Sequence, residues 1–241
     1  QQGDQLVLKL DAAPDHDRFD MDATLNAPAK GVFGAMLGTQ RPVALRLAGD
    51  GSWRTWRGHL TAQIERQPAA DIALSAHSGR YALTGKITAA HLLSGRMQRM
   101  TAPVVTLAGE GRLEKRRFDG HLSVQSAALI AEARGAIDLA TSGFDDLLIT
   151  ARLRQPAALM PSMAGQNVTL KARFDGAFKQ AAFDYLLTAP RIAFGQTGLE
   201  DVRASGQGRL SKSPVKVPIR LSARRITGVG DVAGGILANI S

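Results

Sequence analysis

The chain has 241 residues, with 30 Lys and Arg against 21 Asp and Glu, giving a formal net charge of +9. Hydrophobic residues make up 44% of it, too many for a disordered chain, yet no stretch approaches the roughly 18 apolar residues of a membrane-crossing helix. The absence of cysteine excludes a disulfide framework, a thiolate metal site and a cysteine nucleophile.

Aromatics are only 5% while glycines number 25, a balance suited to many short strands and tight turns rather than a globule built on large aromatic anchors. The chain opens Gln1-Gln2-Gly3-Asp4, without a basic or an apolar leader region, and is expected to be a piece of a longer protein.

In chain order, the dominant period is two, which sends alternate side chains to opposite faces of a sheet. Leu6, Leu8 and Leu10 alternate first, then Phe19, Met21, Ala23 and Leu25 against Asp20, Asp22 and Thr24. Residues 29–37 change to helical spacing and predict a short helix. Strands follow at Leu60, Ala62 and Ile64, at Ile72, Leu74 and Ala76, and at Tyr81, Leu83, Gly85 and Ile87. Turn residues separate them, so chain neighbours should pair antiparallel. A second helix is predicted over 89–100, followed by strands at 118–124, 131–139 and 147–153. A third helix is predicted over 156–164. Then Val168, Leu170, Ala172 and Phe174 alternate with Thr169, Lys171, Arg173 and Asp175, and strands are read at 183–189, 202–210 and 215–223. A last helix is expected from Asp231, a suitable N-cap, although Gly234 and Gly235 weaken it.

The segments after the helices repeat. Leu45-Arg46-Leu47-Ala48-Gly49-Asp50-Gly51-Ser52-Trp53 matches Val105-Thr106-Leu107-Ala108-Gly109-Glu110-Gly111-Arg112-Leu113, and Leu170 to Phe178 is a third copy. Gly49, Gly51, Gly109 and Gly111 fall on the apolar register, where the lack of a side chain permits a bend or a close backbone approach. A β-sandwich normally closes within about 100 residues, whereas this pattern runs to both ends. About fifteen strands at about 4.8 Å would extend roughly 70 Å, with an apolar face that must close on itself or cover something apolar.

The run Arg225-Ile226-Thr227-Gly228-Val229-Gly230-Asp231-Val232-Ala233-Gly234-Gly235-Ile236-Leu237 carries a family likeness. So do Leu25-Asn26-Ala27-Pro28 leading into a short helix and the block Leu47 to Trp53. Together they resemble TamB-like proteins of Gram-negative bacteria, within the wider AsmA-like group, over essentially the whole chain. The resemblance rests on degenerate repeat motifs, not on a catalytic signature. It implies a middle segment of an inner-membrane-anchored protein that spans the periplasm. In that family a long β-sheet curls into an apolar groove, proposed to carry phospholipids between the membranes and to assist assembly of outer-membrane proteins. Membrane contact, and contact with an outer-membrane assembly partner, would be made by parts absent from this chain.

The expected fold is therefore mainly β, an elongated and strongly curved antiparallel repeat sheet, trough-like, with short interspersed helices and an apolar interior. Residues 1–241 form one continuous segment with approximate units 1–88, 89–154 and 155–230, the next starting over 231–241. Phospholipid acyl chains are the expected partner. The residues expected to line the groove are Leu45, Leu47, Leu60, Ile64, Leu74, Leu83, Val105, Leu107, Leu122, Val124, Ile137, Leu139, Leu170 and Phe174. Short helices, that over 89–100 with Leu92, Leu93, Met97 and Met100 included, should cover or cap it. The alternative is a scaffold whose exposed sheet edge pairs with unfolded outer-membrane strands.

Catalytic patterns are missing. His16, His59, His77, His91 and His121 are dispersed singly, without an i, i+4 pair. Asp11, Asp15, Asp17, Asp20 and Asp22 are densely acidic but lack the spacing of a calcium loop, and read as a solvated strand face. Gly228-Val229-Gly230 lacks the third glycine and the βαβ context of a dinucleotide loop. No enzyme activity, metal or cofactor is expected. The basic residues, not interleaved with stacking aromatics, do not suit nucleic acid. They suit a solvated outer face and protected strand edges, or a groove rim that meets phosphate headgroups.

Overall fold

A computed structural model describes residues 3–36, 39–88, 93–211 and 217–228. Among them are sixteen strands and a few short helices, and the chain divides into two compact units, one ending at Ala127 and the next starting at Ala128. That boundary lies in a strand-to-strand connection, not at a helix.

The first unit contains β1 (Gln5–Ala13), β2 (Arg18–Ala27), α1 (Val32–Met36), β3 (Val43–Gly51), β4 (Thr55–Ile64) and β5 (Gln67–His77). It continues with β6 (Arg80–Ile87), α2 (Gly95–Thr101), β7 (Val105–Glu114) and β8 (Arg117–Gln125). Each strand pairs antiparallel with the next in the chain. β1 pairs only with β2 among the described residues, so this sheet does not close on itself. The tight turns between strands use the left-handed region: Glu65 and Arg66 have φ of 52° and 64°, and Lys115 and Arg116 have 47° and 69°. That geometry matches the right-handed twist of the strands it joins.

The second unit contains β9 (Leu129–Asp138), β10 (Gly143–Leu153), α3 (Pro156–Leu159), β11 (Met163–Gln166) and β12 (Val168–Ala177). It ends with β13 (Ala182–Phe194), β14 (Thr197–Arg209), β15 (Arg220–Ser222) and β16 (Arg225–Thr227). All pairings are antiparallel. β13 and β14 each run 13 residues, long enough to take two partners along one edge. β12 pairs with the first half of β13 and β11 with the second, while β15 and β16 share β14.

The predicted helices are shorter in the structure. The one over 29–37 is reduced to α1, and the one over 89–100 to α2, with 89–92 outside the described residues. The segment 156–164 is a single turn, α3, followed by strand. Pro161 has no N–H to donate and pushes Met160 into extended backbone, ψ 121°; the chain beyond it gains more by pairing with the free half of β13. The strand read at 215–223 shortens to β15, its first residues lying outside the described set, as does the helix expected from Asp231.

In the first unit the core sits at one margin of the sheet. Ala27, Val43, Ile64 and Ala69 are buried there, with Phe33 of α1, Leu45 and Ala62 packed on them. The long connections that carry α1 and α2 leave this same margin together with the tight Glu65-Arg66 turn, and the other hairpin turns of the unit lie at the opposite one.

Candidate functional site

The strand registers of the first unit align the apolar side chains into rows that run across all eight strands. One row is Leu8, Ala23, Leu47, Leu60, Ile72, Gly85, Leu107 and Val124, each directly opposite the next. Its neighbour is Leu10, Met21, Gly49, Gly58, Leu74, Leu83, Gly109 and Leu122. At a strand spacing of about 4.8 Å these rows are about 34 Å long. The glycines in them leave gaps but interrupt the row with nothing polar. Most members are half-buried, Leu122 is exposed, and Leu8 and Leu10 on β1 are each more than half exposed. The unit therefore presents a continuous apolar face that its own residues cover only in part.

The two margins of this face differ. Towards the helices it ends in the buried residues Ile64 and Val105. Towards the hairpin turns it ends in aromatic rings. The Trp56 ring occupies the space above Gly49 and Gly58, which face each other across β3 and β4. The Phe118 ring does the same for Gly111 and Gly120, opposite each other across β7 and β8. Phe19 and Trp53 stack at the same margin, ring centroids 4.8 Å apart. A ring laid over a glycine pair restores the burial that the missing side chains give up. The indole N–H of Trp56 is buried there without a hydrogen-bond partner among the described residues.

The second unit repeats the arrangement. Leu153, Ala151, Ile149 and Leu147 of β10 face Val168, Leu170, Ala172 and Phe174 of β12. Leu170, Ala172 and Phe174 then face Leu187, Tyr185 and Phe183 of β13. Phe144, Phe174, Phe178 and Phe183 form its aromatic margin, with successive centroids 4.7 to 6.1 Å apart. Leu148 and Leu186 break the alternation and are exposed on the other face.

Of the fourteen residues expected to line a groove, Leu45, Leu47, Leu60, Ile64, Leu74, Leu83, Val105, Leu107, Leu122 and Val124 share the apolar face of the first unit. Leu170 and Phe174 share that of the second. Ile137 lies opposite Phe144 beyond a register shift. Leu139 lies outside the apolar face: β9 ends at Asp138, and Leu139 sits in the following turn, 48% exposed. The aromatic margin is not among the expectations above, which take the low aromatic content only as evidence against large aromatic anchors. Its signal is present in the sequence: Trp56-Arg57-Gly58-His59-Leu60 and Phe118-Asp119-Gly120-His121-Leu122 place an aromatic two residues before the glycine it covers.

The opposite face is charged and solvated. Arg46 reaches Asp22 through two hydrogen bonds of 2.8 and 3.3 Å, and Arg18 bridges Asp20 at 2.7 Å and Asp11 at 3.0 Å. These guanidinium hydrogen bonds hold the carboxyls of Asp20 and Asp22 below their ordinary range. The acidic cluster is thus largely taken up by strand-face ion pairs. Arg173 pairs with Asp146, and Arg224 with Asp201 and Glu200. Among the described residues no three His, Asp or Glu side chains gather as a metal site. None of the described helices is long and apolar enough to cross a membrane.

Compared with protein-family models, with curated proteins and with solved structures, the chain finds no match.

Proposed function

We propose that the chain is a lipid-binding segment that holds phospholipid acyl chains on its apolar face and lets them pass along it. It would belong to a TamB-like bridge in the periplasm between inner and outer membranes. The observation that supports this reading is the pair of uninterrupted apolar rows across β1 to β8, only partly covered. A sheet face of about 34 Å that is apolar along its whole length has no specificity for a compact ligand, which needs a few convergent polar groups. It suits flexible hydrocarbon, which needs area and no directed hydrogen bonds. Curvature of the sheet would turn this face into a groove, and the glycine pairs beneath Trp56 and Phe118 are where the backbone is free to bend. The charged opposite face would stay in water.

The test is the lipid itself. Mass spectrometry of the purified chain should find co-purified phospholipid, and Leu107→Asp should lose it while retaining the β-sheet circular-dichroism signal. A carboxylate at that position interrupts the central row, and its partial desolvation costs several kcal/mol. Phospholipid carried at the wild-type level by folded Leu107→Asp would refute the reading.

A second reading, strand addition to the free edge of β1, draws support from the exposure of Leu6, Val7, Leu8 and Leu10, each more than half exposed. It assigns the chain to scaffolding of unfolded outer-membrane strands, and calls for peptide pairing at β1 without lipid.

A further inference from the structure

The margin of the first unit that carries α1 and α2 combines exposed apolar side chains with unpaired cations. Ala27, Val43, Ile64, Ile87 and Val105 end or begin strands on this margin. The connection holding α1, the Glu65-Arg66 turn and the connection holding α2 therefore follow one another along it. At one strand per about 4.8 Å they are spaced about 10 Å apart and cover about 20 Å.

On α1, Val32 is 74% and Met36 78% exposed; on α2, Met97 is 57% exposed. Helices of five and seven residues are too short to persist alone in water. Phe33 docks α1 on the core, so Val32 and Met36 are not needed for that. Around them stand Lys30, Arg66 and Arg96, all exposed and without an ion pair among the described residues. The acids of this margin are already engaged: Glu65 pairs with Arg41 at 3.3 Å, and Asp4 accepts a hydrogen bond from the Phe33 backbone N–H at 2.7 Å. Arg66 also lines a surface cleft with Asn26 and Gln63, whose amides add donors and acceptors for a headgroup.

We propose that this margin docks on an anionic phospholipid surface, with Lys30, Arg66 and Arg96 against the headgroups and Val32, Met36 and Met97 inserted among the upper acyl segments. A nucleic acid would satisfy the cations and leave the methionines in water; a membrane surface satisfies both. The proposal rests on the lipid reading above and adds to it the side from which the apolar face exchanges lipid with a bilayer, since the helices border that face along the margin marked by Ile64 and Val105.

Vesicle flotation of the 241-residue chain tests it, with phosphatidylcholine vesicles carrying or lacking phosphatidylglycerol. Binding is expected only with phosphatidylglycerol, falling as sodium chloride rises. Each cation near such a surface is worth about fivefold in affinity, so Lys30→Glu, Arg66→Glu and Arg96→Glu together should weaken binding by about 100-fold or more. Met36→Asp with Met97→Asp should weaken it at every salt concentration. All five positions are exposed, and an unchanged circular-dichroism spectrum and urea midpoint show that the variants fold.

Flotation of the triple-charge variant at the wild-type level, or equal flotation with neutral vesicles, overturns the proposal. So does binding to an acidic polypeptide with no binding to vesicles, which assigns the margin to a protein partner. Leu107→Asp separates the two readings. Vesicle binding retained by a Leu107→Asp chain that still carries phospholipid leaves the docking surface standing without the lipid-carrying face. Loss of flotation in the triple-charge variant together with loss of co-purified phospholipid from Leu107→Asp supports both.

Discussion

At the scale of single residues, the Gly-x-Gly motif has two unequal glycines. A Cβ built on Gly109 would lie 3.2 Å from Leu122 Cδ1 and 3.3 Å from Leu83 Cγ, contacts that a leucine can relax. A Cβ on Gly111 would lie against Phe118 Cζ and only 2.8 Å from both its Cε atoms, a clash that the ring must move to relieve. Gly109→Ala should leave the urea midpoint nearly unchanged, whereas Gly111→Ala should cost about 1–3 kcal/mol. Phe118→Leu in the same chain should recover part of the loss. Equal midpoints for the two alanine variants would mean that the ring does not depend on the glycine. The carboxyls of Asp20 and Asp22 carry a different consequence. Both are held below their ordinary values by Arg18 and Arg46. A carboxylate with a depressed folded-state pKa contributes stability above its unfolded value and loses it as pH falls through the folded one. Stability should therefore decline as pH drops below the ordinary aspartate range, and Asp22→Asn should flatten that decline when urea midpoints are followed against pH. Both groups are partly exposed, so the effect is small and screened by salt.

At the scale of elements, the short helices owe their existence to the sheet. α1 is too short to form alone, and Phe33 is its anchor on Ala27, Val43, Ile64 and Ala69. Phe33→Ala should destabilise the first unit by about 2–4 kcal/mol, towards the low end because the ring is only half-buried. Val32→Ser, one residue away but exposed, should stay within about 0.5 kcal/mol. Denaturant unfolding checks the pair, and equal effects would remove α1 from the core. The helix expected over 156–164 failed for a related reason. Apolar spacing allows both a helix and a strand over so short a run, and an unpaired half of β13 decided for strand in β11.

At the scale of the whole chain, one edge of β1 has no strand partner among the described residues. Its row of Leu6, Leu8 and Leu10 lies in water beside free backbone groups, a combination that invites strand pairing. Leu8→Lys should lower concentration-dependent association measured by light scattering, because a charge on an edge strand opposes addition of another strand. Association unchanged by this substitution would place the contact elsewhere. The period-two alternation by itself determined that this protein is mainly β, and which side chains share a face, because a side chain's face depends only on its parity along a strand. Leu45, Leu60 and Leu107 were legible in that way. Leu139 was not, because parity does not say where a strand stops. Only the tertiary structure decided how the faces combine. Cross-strand register, which no single strand encodes, set Leu8, Leu47, Leu60, Ile72 and Leu107 in one row. It also brought Trp56 and Phe118 over glycines from neighbouring strands. The row joins residues far apart in sequence, and each ring reaches a glycine across its own hairpin; both are fixed by which backbone groups pair and not by the residues' own preferences.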